Sequence, residues 1–355
     1  MNKYLSEKLK VISFFSMIMV VFLHSYNPVI KSQSETIILK KGYSVFIQDF
    51  FSQGITRIAV PLFFAISGYL FFLKMEGTFN EYILKFKKRL QTLALPYFFW
   101  SLWGLLFYFV LQSLPQSRPF FTNDLIKGYS FGKLMSTFIL NPIPYQLWFV
   151  RNLIIIICIT PILYWLLRNL KTITLIFFLT LWVFNANLIF VSSEALLFFV
   201  IGAFMGIYSS KLLLLNIAKG YRIFTFLWVT LVLFKTILGY VNLENTGLLI
   251  FLDKTSIVIG ILAVWSLYDM VFQNKTISSY SFYSFTSLSF FLYAFHEPIL
   301  TICKKGLFYF MGKEELASLL IYIIAPLITI FISILTGYYL KKNIPKFYGV
   351  ITGGR

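Results

Sequence analysis

The chain has 355 residues, of which 59% are hydrophobic and 20% aromatic, while only 12% are charged. Soluble domains carry about twice that share of charge, so the composition excludes an ordinary soluble protein and predicts a polytopic helical membrane protein. The net charge of +18 would suggest nucleic acid in a soluble protein. Here the basic residues cluster between apolar runs, so we expect contact with the lipid bilayer and no nucleic-acid partner.

About 20 apolar residues are needed to cross the hydrocarbon core of a bilayer. The sequence therefore predicts an all-α fold with about ten transmembrane helices, in a single membrane-embedded domain over residues 1–355. The predicted spans are residues 11–30, 54–73, 92–112, 146–167, 172–191, 194–209, 223–242, 248–268, 285–304 and 317–340. The sixth span is short, and Asp253 and Lys254 interrupt the start of the eighth.

The distribution of lysine and arginine predicts the orientation of the chain. These residues are more frequent in alternate connecting segments, beginning with the N-terminal segment, which includes Lys8. Because positive residues accumulate on the cytoplasmic side, we predict that both termini are cytoplasmic. Lys304 falls in a predicted outer segment.

The chain contains only two histidines, and both lie in apolar runs. His24 is predicted in the outer half of the first span and His296 near the middle of the ninth. Ionisable groups inside a membrane are costly and are usually functional, so both imidazoles are candidates for chemistry. The alternative for each is a packing histidine bonded to a neighbouring carbonyl group.

Four cations are also predicted inside spans, near the outer face: Arg57, Arg151, Lys235 and Lys254. We hypothesise that some of them share an outward-facing cavity with the first-span histidine. For the lysines the alternative is that their long side chains snorkel to the membrane interface, and the arginines can snorkel too.

A second cationic cluster directly precedes the third span and contains Lys85, Lys87, Lys88 and Arg89. It has two interpretations, which the sequence leaves open. The first is ordinary positive-inside topology. The second is a phosphate site, to which Lys10 on the first span contributes.

Together, the two clusters suggest that a phosphate-bearing donor binds on the cytoplasmic side and delivers its reacting group to a histidine near the outer leaflet. An imidazole there acts as a general base on a hydroxyl group, and a guanidinium group stabilises the oxyanion, which is the chemistry of acyl transfer. The alternative from another class is a transporter or flippase that binds an acyl or lipid-linked glycan carrier in transit. A regulatory or scaffolding protein is a weaker alternative, because it would not need buried cations.

The sequence resembles the acyltransferase 3 family of integral membrane O-acyltransferases over nearly its whole length. Five stretches carry the resemblance, in the order expected for the family: KLKVISFFSMIMVVFLHSYN, RIAVPLFFAISGYLFF, KKRLQTLALPYFFW, YQLWFVRNLIIIICITPILYW and FFLYAFHEPIL. The resemblance implies acetyl-CoA or a related acyl-CoA as donor, a cell-surface glycan as acceptor and no metal. It also implies a stand-alone member without an esterase-like domain.

The resemblance also implies roles for individual residues. It assigns catalysis to His24, Arg151 and Arg57, and contact with the phosphates of CoA to Lys10, Lys85, Lys88 and Arg89, while His296 and Glu297 shape the site. Two positions depart from the family pattern. The first-span cation of the family falls on Ser13, which puts the role of Lys10 in doubt, and Asn152 stands where relatives often carry an acid. We interpret Ser67 and Gly68 as residues of close helix packing.

Overall fold

A computed structural model of the chain describes residues 2–31, 36–39, 41–115, 117–118, 121, 124–188, 191–209, 211–241, 246–273, 275, 277 and 280–354. These residues are predominantly helical, which confirms the predicted fold class. One short antiparallel pair of strands, Val29–Lys31 (β1) and Thr36–Ile38 (β2), follows the first helix.

The described part of the chain forms α-helices α1 to α15. Their bounds are Lys3–Ser25 (α1), Tyr43–Gln48 (α2), Ala59–Phe72 (α3), Phe79–Arg89 (α4), Leu95–Ser113 (α5), Phe131–Ile139 (α6), Trp148–Cys158 (α7), Thr160–Leu170 (α8), Thr172–Val183 (α9), Ser193–Tyr208 (α10), Tyr221–Tyr240 (α11), Thr246–Phe272 (α12), Ser289–Met311 (α13), Glu315–Asn343 (α14) and Pro345–Thr352 (α15). Short π and 3-10 turns connect α2 to α3 and α4 to α5.

Several of these helices are long and apolar enough to cross a membrane. Six stretches of the described chain meet that requirement: Lys3–Ser25, Tyr43–Phe72, Phe79–Ser113, Ala218–Tyr240, Thr246–Phe272 and Glu315–Asn343. The pair α7 and α8, bent by 61°, adds a seventh if it forms one span, whereas α9 and α10 are apolar but shorter. The chain is therefore a multi-pass membrane protein. The count of ten spans and the cytoplasmic location of the termini remain predictions.

The chain divides into two compact units, each assembled from three separate stretches. The first unit contains Met1–Leu23, Asp49–Lys87 and Ile155–Ser289, and the second contains His24–Gln48, Lys88–Ile154 and Phe290–Arg355. The two histidines lie in the second unit.

The first unit contains a very close helix contact between α3 and α10. A Cβ atom on Gly68 would overlap the carbonyl oxygen of Phe199, and one on Gly202 would overlap that of Ala65. Only glycine lets the two backbones approach in this way, so the predicted role of Gly68 in close packing is confirmed. Apolar side chains of α1, α3, α11, α12 and the 3-10 turn before α3 form a buried cluster, which includes Val11, Ile58, Leu62, Val232 and Ala263.

The helix of the predicted third span begins earlier than predicted. It starts at Phe79, where the Glu81 carboxylate accepts hydrogen bonds from the backbone N–H groups of Gly77 (2.8 Å) and Thr78 (3.1 Å). These contacts satisfy donors that a helix N-terminus leaves without partners. The apolar run alone predicted a start at residue 92 because α4 is amphipathic and has no buried residue.

An additional amphipathic helix, α6, lies in the segment between the predicted third and fourth spans. None of its residues is buried, and Phe131, Met135 and Ile139 form an exposed apolar stripe with a spacing of four residues. Its opposite face carries Lys133, which pairs with Asp124 at 2.6 Å. This pattern is typical of a helix that lies in the plane of a membrane interface.

We expect the apolar stripe of α6 to contact lipid. In a background that lacks Cys158 and Cys303, a fluorophore on Met135→Cys should be quenched by nitroxide-labelled lipids and protected from aqueous iodide. A fluorophore on Lys133→Cys, the matched control on the other face, should show the reverse. Equal iodide quenching at both positions would show that α6 lies in water.

Candidate active site

His24 lies in the last turn of α1, which ends at Ser25. Pro28 has no N–H group to continue the helix, and it disfavours helical geometry at Asn27. The chain therefore leaves the helix here, although the apolar run extends further, and the predicted span 11–30 is too long at its C-terminal end. This local stop places the first imidazole at the end of a membrane-spanning helix.

A buried polar network in the second unit fixes the chain directly after the end of α1. Gln48 Nε2 donates to Asn27 Oδ1 and to Ser318 Oγ, both at 3.0 Å, and Gln48 Oε1 accepts the Asn27 backbone N–H at 2.9 Å. Ser25 Oγ donates to the Tyr322 carbonyl at 2.8 Å. Because buried polar groups are costly without partners, this network holds the segment next to the first histidine in one conformation.

Replacing Gln48 by leucine should lower the free energy of unfolding by about 1–3 kcal/mol, because the buried groups of Asn27 and Ser318 lose partners. Thermal unfolding of the purified protein would measure the loss. The control Ser44→Ala removes one hydroxyl from the same network, so it should cost less. Equal stability of the leucine variant and the wild type would contradict a structural role for this network.

The second histidine lies directly before a break in α13. The backbone at Glu297 is not helical (φ −103°, ψ 133°), as expected for a residue that precedes proline. Because Pro298 has no N–H group, the Ala294 carbonyl loses its helical donor, and Gln146 Nε2 donates to that carbonyl at 3.2 Å. The predicted uniform span 285–304 is therefore wrong in detail, since a helix break follows His296.

The two imidazoles are in direct contact. His24 Nδ1 lies 2.9 Å from His296 Nε2, and the rings meet edge to edge, with centroids 5.2 Å apart and planes inclined by 28°. His296 is fully buried, and its Nδ1 lies 3.1 Å and 2.8 Å from the carbonyl oxygens of Leu292 and Tyr293. His24 is only partly buried. The structure thus joins the two histidines of the sequence in one site.

Two residues that the sequence analysis did not assign to the site surround the first-span histidine. The Tyr145 ring packs against the His24 imidazole with centroids 4.7 Å apart, and this tyrosine remains 47% exposed. Lys304 Nζ donates to the backbone carbonyl of His24 at 2.7 Å. Lys304 was predicted in an outer connecting segment; it lies instead on α13, with its ammonium group bonded to the end of α1.

Glu297 has partners of its own within the site. Its side chain is buried, Tyr145 OH donates to Oε1 at 3.4 Å, and the backbone N–H of Thr301 donates to Oε2 at 3.3 Å. The phenol of Tyr145 therefore contacts Glu297 while its ring contacts the imidazole of His24. The predicted site-shaping role of Glu297 stays a prediction.

Arg151 contacts the C-terminal end of α6. Its guanidinium group donates to the Leu140 carbonyl and lies 3.4 Å from Asn141 Oδ1 and from Asn152 Oδ1. The last carbonyls of a helix have no helical donor, so the arginine satisfies one of them. The oxygen that Asn152 supplies to this guanidinium group is neutral. The catalytic role of Arg151 stays a prediction.

The other cations of the predicted outer cluster lie in the first unit. Lys254 Nζ donates to the Trp182 carbonyl at the end of α9 and to Asn185 Oδ1 at 2.8 Å. Lys235 forms an ion pair with Asp253. Both ammonium groups are thus held by protein oxygens.

Arg57 also lies in the first unit, in the short 3-10 helix that precedes α3. Its predicted catalytic role is untested.

The residues of the predicted phosphate site differ in exposure. Lys10 and Lys88 are exposed, and Arg89 is partly buried. Lys85 donates to the carbonyl of Phe71. The exposed members can bind an anionic ligand, and the phosphate site stays a prediction.

The first unit contains a buried ion pair that was not predicted from the sequence. Lys8, interpreted as a cation of the N-terminal segment, is fully buried, and its Nζ lies 2.6 Å from Asp269 Oδ1. Tyr4 OH donates to the same oxygen at 2.5 Å, and the ammonium group lies 4.1 Å from the ring centroid of Trp265. The signal in the sequence is Asp269, a lone acid near the end of an apolar run.

Comparison with known proteins connects this site to a chemistry. A family profile described as an acyltransferase domain, that of acyltransferase 3, matches residues 8–338. The chain is 25% identical over 356 residues to the succinoglycan biosynthesis protein ExoH of Rhizobium meliloti (strain 1021), with 95% of this chain and 89% of that protein covered. No solved structure is significantly similar.

Proposed function

Because the chain belongs to the acyltransferase 3 family and is an acyltransferase, we propose that it transfers an acetyl or similarly short acyl group from cytoplasmic acyl-CoA to a hydroxyl group of a cell-surface or exported polysaccharide. The observation that carries the proposal is the His24–His296 pair, whose first ring is partly exposed at the end of a membrane-spanning helix. Similarity to a succinoglycan biosynthesis protein supports a polysaccharide acceptor. The family favours an enzyme over the transporter alternative.

In the proposed reaction, His24 acts as the general base. Its imidazole takes the proton of the acceptor hydroxyl as the oxygen attacks the thioester carbonyl carbon. When the C–S bond breaks, the imidazolium returns the proton to the departing sulfur, so the ring ends the cycle in its original state. The products are an ester and a free thiol.

A donor is also needed for the oxyanion that develops on the carbonyl oxygen. Arg151 and Arg57 are the predicted donors. The Tyr145 hydroxyl is a further candidate, because its ring packs on His24 and its present bond to Glu297 is long, at 3.4 Å. A long hydrogen bond is readily exchanged for a shorter one to a negatively charged oxygen.

Acyl-CoA is the proposed donor because it supplies an activated acyl group as a thioester. We assign its phosphates to the cations predicted for them, Lys10, Lys85, Lys88 and Arg89, of which Lys10 and Lys88 are exposed. Ammonium and guanidinium groups bind phosphate oxygens through charge-assisted hydrogen bonds.

Reversing the charge of this cluster should weaken donor binding. In a Lys88→Glu, Arg89→Glu variant the KM for acyl-CoA should rise by about tenfold or more, since a hydrogen bond to a charged group contributes about 1.5–3 kcal/mol. Steady-state kinetics would measure it. Lys171→Glu changes an exposed lysine between α8 and α9 and should leave KM unaltered. Equal KM values in the wild type, the charge-reversed variant and the control would contradict phosphate binding by this cluster and favour a role in membrane topology alone.

Chemical analysis of surface polysaccharide from cells with and without the protein tests the proposed function. Ester-linked acyl groups should be present with the wild-type protein and absent without it. Unchanged ester content combined with altered export of the glycan would favour transport and contradict the proposal.

A further inference from the structure

We propose that His296 is a positioning residue that holds His24 in the tautomer with its hydrogen on Nδ1, so that His24 Nε2 is the nitrogen with a free lone pair. The assignment of hydrogens follows from the contacts of the two rings. Its catalytic consequence rests on the proposed function.

The carbonyl contacts of His296 fix the first hydrogen. Its Nδ1 lies 3.1 Å from the Leu292 oxygen and 2.8 Å from the Tyr293 oxygen, and carbonyl oxygens only accept hydrogen bonds. Nδ1 of His296 must therefore carry a hydrogen. In a neutral ring the other nitrogen, Nε2, then holds the lone pair.

The contact between the rings fixes the second hydrogen. His296 Nε2 accepts, so the 2.9 Å contact requires a hydrogen on His24 Nδ1. A neutral His24 then carries its lone pair on Nε2. In the part of the chain that the structure describes, this nitrogen accepts no hydrogen bond, and its ring is partly exposed. The hydrogen bonds thus run in one direction, from His24 through His296 to the two carbonyl groups.

The surroundings of the pair keep this arrangement in place. His296 is fully buried, and the helix break at Glu297 directly follows it. Lys304 Nζ donates to the His24 backbone carbonyl at 2.7 Å, which restrains the backbone that carries the His24 imidazole. In catalysis the acceptor proton would pass to His24 Nε2, and the resulting imidazolium would keep donating from Nδ1 to His296 until the proton leaves with the sulfur. A base held in the wrong tautomer would have a hydrogen where the lone pair is needed.

The two-histidine composition makes the proposal directly measurable. In the full-length protein labelled with 15N only in histidine and reconstituted in lipid, NMR should resolve two imidazoles, each with a protonated Nδ1 and an unprotonated Nε2. His296→Gln keeps an oxygen that can accept from His24, whereas His296→Leu has a similar size and no acceptor. The glutamine variant should retain the protonated Nδ1 of His24, and the leucine variant should lose it in favour of the other tautomer.

The same variants distinguish a role of His296 in positioning His24 from a role in stabilising the fold alone. We expect kcat to fall by about tenfold or more in His296→Leu, with KM for acyl-CoA unchanged, and to recover partly in His296→Gln. A wild-type spectrum with a protonated Nε2 on His24, or with either ring doubly protonated, would overturn the proposal even if neither variant folds. So would a leucine variant with the wild-type tautomer. If the tautomer is found but wild-type protein forms no ester, the proposed function fails and the hydrogen assignment stands.

Discussion

Replacing His24 by alanine should lower the rate of acyl transfer by about 10²- to 10⁴-fold, the usual contribution of a general base. The reason is that its partly exposed imidazole is the group placed to take the proton of the acceptor hydroxyl, and no other imidazole can replace it. His296, the other histidine of the chain, is fully buried and bonded through both ring nitrogens. The rate of thiol release from acyl-CoA in the presence of acceptor would measure the effect.

The matched control for this variant is Ser13→Ala on the same helix. Ser13 has no assigned role in the site, so its replacement should leave the rate within a few-fold of wild type. Both variants should be purified in the same folded state. If His24→Ala retains the wild-type rate, the imidazole is not the base.

Replacing Lys8 by alanine should give the largest loss of stability. The lysine and Asp269 are 0% and 1% exposed, and removal of one partner of a buried ion pair costs about 3–5 kcal/mol because the other charge stays buried without compensation. Loss of the contact between the ammonium group and Trp265 adds to this cost. Thermal unfolding in detergent, followed as loss of the monodisperse protein, would measure the change.

The double variant Lys8→Met, Asp269→Asn is the control for this prediction. It removes both charges, while asparagine can still accept the hydrogen bond from Tyr4 OH. We expect it to recover much of the stability lost in Lys8→Ala, because the cost comes from an unpaired charge rather than from the absence of the pair. A double variant less stable than the single one would mean that the ion pair itself stabilises the fold.

The sequence predicted the existence of the long helices well, because apolar runs are long in a membrane protein. It predicted the residues at which helices begin and end less well. α4 was missed as part of the third span because it is amphipathic. α6 was missed because it is short and amphipathic and so contains no long apolar run. Two features of the sequence do indicate it: Ser130 as N-cap and the apolar stripe Phe131, Met135 and Ile139. The break at Glu297 was readable from the following proline.

For the site, the sequence identified both histidines because ionisable residues in apolar runs are rare. The two histidines are far apart in the chain, on α1 and α13, and a single sequence does not show that they are in contact. Tyr145 and Lys304 were missed for the same reason. Lys8 was misassigned because a lysine near the N-terminus is usually solvated, and only the contact with Asp269 shows otherwise.

In the proposed reaction, the first-span histidine is the general base for the transfer of an acyl group from a donor on one side of the membrane to an acceptor on the other. The most direct measurement uses sealed proteoliposomes with labelled acyl-CoA supplied only at the cytoplasmic face of the protein and the polysaccharide only at the opposite face. We predict labelled ester on the polysaccharide with wild-type protein and almost none with His24→Ala. Ester that forms only when both substrates are on the same side, or equally with both proteins, would contradict the claim.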